Sequence, residues 1–311
     1  MKKTCFGSEK MAKLLEIIAP LRSLDIGARG VPCRTMLPLA QAVDAIGFEP
    51  DAEECSRLND FYSVPENNPF RQARFFPVAL GNEDKGRTLY LTKHRGASSL
   101  LPPVEGRAAE FLRGDYGIVE RTVPIDTVPL DQFLTGNGLG GAVHMKVDVE
   151  GLELEILKTA KNLLSSSLLA VDAEVAFMPT RKGQPTYGEI ELFLREYDFE
   201  PMGFTEQHSW RRQTVSKYPK KVKGSVPFSR GQLVHGNMLF MKTPESIFSK
   251  NPEQILAAAF IAINYGYLDH ALFLLQNSSV QHMIHFAGID DLTAEFRTIS
   301  LDQYRRYRRE H

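Results

Sequence analysis

Between residues 21 and 242 short apolar runs alternate with stretches of helical period, and this alternation restricts the fold more than any other feature of the chain. SLDI (23–26), AVDAIGF (42–48), RFFPVALGN (74–82), MKV (145–147), LLAVDAEV (168–175), EPMGFTE (200–206) and HGNMLFMK (235–242) read as strands. RTLYLTK (87–93) and VERTVPIDTV (119–128) read as more exposed ones. Helical patterns lie at 11–20, 52–62 and 187–198. Alternation of this kind is the signature of an α/β domain with a doubly wound, mostly parallel sheet. EPMGFTE and HGNMLFMK are expected to pair antiparallel at its edge.

After Thr243 the pattern changes to small and apolar residues of helical period, with Pro252 placed to start a helix. The expected organisation is one α/β domain over residues 1–243 and a helical C-terminal extension over 244–311. GYLDHAL has the look of a helical-repeat hairpin, but no second copy accompanies it. The extension is therefore expected to pack on the domain, on a second copy of the chain as a homodimer, or on a protein partner.

Composition mainly excludes. A formal net charge of -1 gives no general attraction to nucleic acid or anionic membrane, and 43% hydrophobic with 24% charged residues is that of a soluble globular chain. No apolar run approaches the ~20 residues of a membrane span. Lys10, Lys13 and Glu16 interrupt the N-terminal apolar residues, so no secretory pattern is formed. Cys5, Cys33 and Cys55 lack metal-ligand spacing and suit free thiols. The expected location is cytoplasmic.

The turn after the first strand narrows the ligand. A dinucleotide site needs G-x-G-x-x-G there, whereas Asp25-Ile-Gly27-Ala-Arg-Gly30 opens on an aspartate. An anionic side chain disfavours pyrophosphate but accepts hydrogen bonds from an ammonium group or a ribose hydroxyl. S-adenosylmethionine has both, and Glu49, with Pro50 closing the second strand, is placed to hold its ribose diol. The plainer alternative makes Asp25 a helix cap and Glu49 a surface residue.

DIGARG, GFEPD, VALGNEDKG, GASSL, VPLDQFL and MKVDVEGLELEILKTA follow one another in the order found in FkbM-type S-adenosylmethionine-dependent methyltransferases, which the chain resembles over about residues 22–242. The resemblance implies a class I methyltransferase (Rossmann-like) fold with seven strands, and O-methylation, commonly of a sugar or polyketide hydroxyl. It also implies that Asp25, Gly27, Ala28 and Gly30 line the methionine end of the cofactor, with Glu49 at the ribose. Ala79 and Leu80 would border adenine, and Ser98 and Ser99 would line the pocket. Arg29 stands where the family commonly has a small polar residue.

The segment MKVDVEGLELEILKTA carries the chemistry. A sugar hydroxyl is a poor nucleophile until its proton is taken, so a carboxylate, a histidine or a metal must assist. Asp148 lies where the fourth parallel strand stops, at the edge where such sheets bind ligands. In an extended backbone Lys146, Asp148 and Glu150 would point the same way. Gly151 lets the chain turn into a helix. The base is left open among Asp148, Glu150 and a histidine, His94 or His235. Asp148, Glu150 and Glu174 are the candidate ligands should a divalent cation such as magnesium bind. The plainer alternative pairs Glu150 with Lys146 or makes it a helix cap.

RRQTVSKYPKKVKG (211–224) carries six cations and no acid. It suits the phosphate of a nucleotide- or lipid-linked sugar or a solvated loop, and RNA less well because aromatic interleaving is limited to Tyr218 and, just before the stretch, Trp210. The expected function is O-methyl transfer to a carbohydrate or related metabolite in glycan biosynthesis. A non-catalytic cofactor-binding scaffold, recruiting a partner through its C-terminal helices, is the alternative.

Overall fold

The computed structural model describes residues 6–214 and 229–310. Its strands are β1 (Leu21–Ile26), β2 (Val43–Phe48), β3 (Gln72–Phe76), β4 (Ala79–Leu80), β5 (Asp84–Thr92), β6 (Val119–Val128), β7 (His144–Val147), β8 (Ala170–Ala176), β9 (Phe199–Trp210) and β10 (Gln232–Lys242). Seven of them form a sheet in the order β3-β2-β1-β7-β8-β10-β9. β1, β2, β3, β7 and β8 run parallel, while β10 is antiparallel to both β8 and β9. This is the doubly wound class I methyltransferase architecture, with the expected antiparallel edge. β4, β6 and β5 make a second, three-stranded sheet.

The run 74–82 is not one strand. Pro77 has no N–H to give a ladder, and the N–H of Val78 turns back to the carbonyl of Phe76 at 2.9 Å. β3 therefore ends beside β2, and β4 leaves to pair with β6.

Both faces of the large sheet are covered, which is why β8 reads AVDAEVA and every residue of it is buried. Helices Leu130–Gly136, Glu153–Lys158, Lys161–Ser165 and Tyr187–Arg195 cover one face. The other carries Glu9–Ile18, the 3-10 helix Arg34–Ala42, Ala52–Ser63 and Pro252–Asn264. In the last of these every residue from Ile255 to Ile263 is buried. A helix apolar on all sides belongs inside, and Ala257, Ala258, Ala259 and Ala262 let it approach closely while Phe260 stacks on Phe6 at 5.6 Å. Asn251 caps it, accepting from the Gln254 N–H at 2.8 Å.

Residue register sets a polar row inside this sheet. Asp25 of β1 lies beside Lys146 of β7, which lies beside Asp172 of β8, and paired positions present side chains to the same face. One row lower, the Ser23 hydroxyl bonds His144 Nδ1 at 2.8 Å, and His144 Nε2 lies 2.7 Å from the hydroxyl of Tyr265. Tyr265, just past the buried C-terminal helix, also donates to Asp172 at 3.2 Å. Burial and the Lys146 charge hold His144 neutral, down at about 3. Among the described residues no helix is long and apolar enough to cross a membrane. Cys33 and Cys55 are free and buried.

Candidate active site

The turn after β1 is shaped by one glycine. Gly27 has φ +87, and a Cβ there would stand 2.1 Å from the carbonyl oxygen of Asp148. Its N–H and that of Ala28 both donate to the carbonyl of Phe48, which ties the turn to the end of β2. Asp25 sits behind this turn, 3% exposed, where it accepts from the N–H of Cys33. Burial raises its pKa against the opposing pull of Lys146. Ala28 is also buried, and the Gly30 N–H is taken by Glu54 at 3.2 Å.

β7 ends on the second half of the site. The Asp148 N–H donates to Ile26 at 3.0 Å, and Lys146 Nζ holds Asp148 Oδ2 at 2.8 Å. Burial alone would raise Asp148, but the charge and hydrogen bond of Lys146, with Asn237, outweigh it and keep the carboxyl below its ordinary range. Glu150 does not follow Lys146 and Asp148 on one side, as an extended strand end would have it. The chain has left the strand, Glu150 adopting φ +60 and Gly151 φ +119. Ser99 fixes this bend by donating to the Glu150 carbonyl at 2.7 Å. The Glu150 carboxylate turns to the buried Arg181, at 3.4 Å.

Glu153, which the sequence reading passed over, holds the bend from inside. Its Oε1 accepts from the N–H groups of Val149 at 2.9 Å and Gly151 at 3.1 Å. Burial lifts it to about 7 despite these bonds. An acid opening the helix Glu153–Lys158 was visible in GLELEIL as a first-turn carboxylate. Arg181 and Asn237 had no local signal, because only sheet topology brings them to β7.

A cleft of about 540 Å³ opens where β1, β2 and β7 end. Gly27, Glu49, Pro50, Ala79, Leu80, Ser98, Ser99, Lys146, Asp148 and Glu150 all border it, so most of the expected site residues meet there. Asp25, Ala28 and Gly30 do not border it: Asp25 and Ala28 are buried behind the turn, and Gly30 is exposed. Leu89, Leu91, Arg121 and Ile125 of the three-stranded sheet form the outer wall. Burial raises the pKa of Glu49, whose Oε1 accepts from the Asp51 N–H at 2.9 Å.

A smaller cavity of about 20 Å³ lies on the far side of Glu150, toward β8 and β10. Trp210, Tyr116, Met178 and Val234 give it apolar walls, and Glu150, Glu174, Arg181, Gln184 and His235 give it polar ones. Glu174 bonds His235 Nδ1 at 2.6 Å. Burial and the neighbouring Asp148 push Glu174 well above the usual carboxylate range, while burial lowers His235. Burial, then Glu174, likewise raises Glu150. His94 borders neither space and stacks on Tyr116 at 4.2 Å.

The three carboxylates named as metal ligands are thus divided among Lys146, Arg181 and His235. Among the described residues no three or more His, Cys, Asp or Glu side chains gather as a metal site. Of the basic stretch 211–224, Arg212 is engaged by Glu110 at 3.1 Å. Lys217, Lys220, Lys221 and Lys223 lie outside the described residues.

A family model described as the methyltransferase FkbM domain matches residues 35–201, more than half of the chain. No curated protein matches. Among solved structures the chain is similar to magnesium protoporphyrin IX methyltransferase (ChlM) from Synechocystis PCC 6803 with bound SAM, at 11% identity and TM-score 0.33 over 75% of this chain and 78% of that one. It is similar to EvdMO1 at 11% identity and TM-score 0.32, over 77% of this chain and 41% of that one. The 23S rRNA methyltransferase ErmE gives 11% identity and TM-score 0.31, over 86% and 96%. At such scores these three likenesses carry no weight, and the assignment rests on the family match. The chain belongs to the FkbM methyltransferase family and is an S-adenosylmethionine-dependent methyltransferase.

Proposed function

We propose that the protein transfers a methyl group to a hydroxyl oxygen of a carbohydrate, free or linked to a nucleotide or lipid, in the cytoplasm. The observation that carries this reading is the meeting of two spaces at Glu150, a long cleft on one side and a small mixed cavity on the other. The cleft fits S-adenosylmethionine in the chemistry of its lining. Glu49 offers a carboxylate to a ribose diol, and Ala79 and Leu80 offer apolar surface to adenine. Asp148, kept ionised by Lys146, is an acceptor for an ammonium group. Ser98 and Ser99 border the middle, and Gly27 leaves the approach clear of a side chain. When bound, the cofactor supplies an electrophilic methyl on a sulfonium.

The chain's own part is orientation and proton handling. The bend at Glu150 and Gly151 separates the two spaces by one residue, so a single acceptor hydroxyl entering the small cavity faces the cleft. Trp210 and Tyr116 beside Glu150, Arg181 and Gln184 suit a polyhydroxylated ring, whose C–H faces pack on aromatic surfaces while its hydroxyls find hydrogen-bond partners. The buried free thiols Cys33 and Cys55 accord with a reducing compartment.

Incubation with methyl-labelled S-adenosylmethionine and a set of methyl glycosides and nucleotide sugars tests the reading. Label in a methyl ether of a sugar is expected. Label confined to RNA or protein would falsify it.

A further inference from the structure

We propose that His235 is the base that takes the acceptor's proton, with Glu174 as the residue that positions it, a step that rests on the hydroxyl-methylation reading above. His235 borders the small cavity, and its Nδ1 is bound to Glu174 Oε1 at 2.6 Å. The other ring nitrogen, Nε2, has no hydrogen-bond partner among the described residues. The ring is held flat against His208, at 4.5 Å between centroids and 20°, and edge-on by Trp210 at 5.9 Å and 82°. A ring fixed on three sides and bordering a cavity, with one nitrogen engaged by a buried carboxylate and the other without a partner among the described residues, is the geometry of an oriented general base. The cavity's 20 Å³ is room for one hydroxyl-sized group beside that ring.

The rival bases are occupied. Asp148 is bound to Lys146 and kept below its ordinary range, which makes it a weak base. Glu150 faces Arg181, and its carbonyl is fixed by Ser99. His94 stacks on Tyr116 and borders neither space.

The acceptor oxygen forms its bond to the methyl carbon as the carbon–sulfur bond breaks, and sulfur keeps the electron pair as a neutral thioether. The hydroxyl proton passes to His235 Nε2, and the positive charge gained by the ring is matched by the Glu174 carboxylate. Among the described residues, the charged and titratable groups that act on the ring are Glu174 from β8, Glu150 and Asp148 beyond β7, Glu206 and His208 from β9, and Arg113. The acids favour a proton on the ring, whereas burial and Arg113 oppose it. Because Glu174 is itself pushed upward, the pair takes up its extra proton as one unit, and activity rises with pH as that proton leaves.

The test is single-turnover transfer from labelled cofactor to the methyl glycosides against pH, with calorimetric cofactor binding alongside. His235→Asn and His235→Gln are each expected to lose about 10²–10⁴-fold in rate, with cofactor affinity kept within about twofold. Glu174→Gln retains an acceptor for Nδ1–H but cannot hold the proton, so the acidic limb of its profile moves to lower pH. His235 variants within tenfold of wild type, or a Glu174→Gln profile superposable on wild type, overturn the proposal. If wild type labels no glycoside, the hydroxyl reading is what has failed. Nitrogen-15 spectra of histidine-labelled protein then decide the dyad, Nδ1–H with bare Nε2 at pH 8 supporting it and the reverse tautomer overturning it.

Discussion

The carbonyl oxygen of Asp148 occupies the place a side chain on Gly27 would need, 2.1 Å from the Cβ position. Two strand ends close on each other there, and the glycine's φ of +87 adds a conformational demand of about 1–2 kcal/mol for any other residue. Gly27→Ala is therefore expected to lower the melting temperature and to weaken S-adenosylmethionine binding, measured by calorimetry. Gly30→Ala shares the positive φ but has nothing within 4 Å of its Cβ position. It should cost only the conformational part and leave binding nearly intact.

Glu49→Ala should leave the fold and remove a charged acceptor from the cleft. Hydrogen bonds to a charged group are worth about 1.5–3 kcal/mol, so the calorimetric Kd for the cofactor should rise about 10- to 150-fold. An unchanged Kd would take Glu49 out of the site.

Lys146 and Asp148 should behave as one unit. Asp148→Asn and Lys146→Met are each expected to destabilise by about 1.5–3 kcal/mol. The double variant should fall short of their sum by about 0.5–3 kcal/mol, read from denaturant midpoints at constant m-value. Additive losses would mean that the 2.8 Å pair does not persist in solution.

Glu153 makes stability depend on pH in a stated direction. Its pKa rises from 4.5 to about 7 on folding, so between those values the folded state binds more proton than the unfolded one. Its contribution to stability is complete below about 4.5 and is lost as pH rises toward 7. Glu153→Gln keeps an acceptor for Val149 and Gly151 and removes the buried charge. Urea titrations at pH 5 and pH 8 should show a smaller loss of stability in the variant than in wild type. Glu153→Ala, lacking the acceptor, should be less stable than Glu153→Gln at both by about 1–2 kcal/mol.

The strand-and-helix alternation carried the sheet and its antiparallel edge because buried parallel strands are apolar throughout and cannot be mistaken for turns. It misled at 74–82, where one proline diverts the chain into a second sheet that period alone does not reveal. The cleft was legible at Glu49, Ala79, Ser99 and Asp148, which lie at strand ends or in the loop beside them. It was less so at Asp25, since an aspartate that lines a pocket and one that braces a turn from behind look the same in sequence. Glu150 was misaimed for a backbone reason, as left-handed φ in a non-glycine residue leaves no mark in composition. The pairing of His235 with Glu174 depends on the register of β10 against β8, a long-range property that no local pattern contains.

Tyr265 lies outside the matched stretch 35–201, yet its hydroxyl is a partner of both His144 and Asp172 within that stretch. A segment transplanted from a relative would arrive with its strands and acids in place and still lack that hydroxyl. Asp172, lifted to about 6 by burial, would lose one of the bonds that hold it down, and Lys146 beside it would face a different charge. Chimeras across this family should therefore be cut after residue 265, so that the tyrosine travels with the sheet it completes.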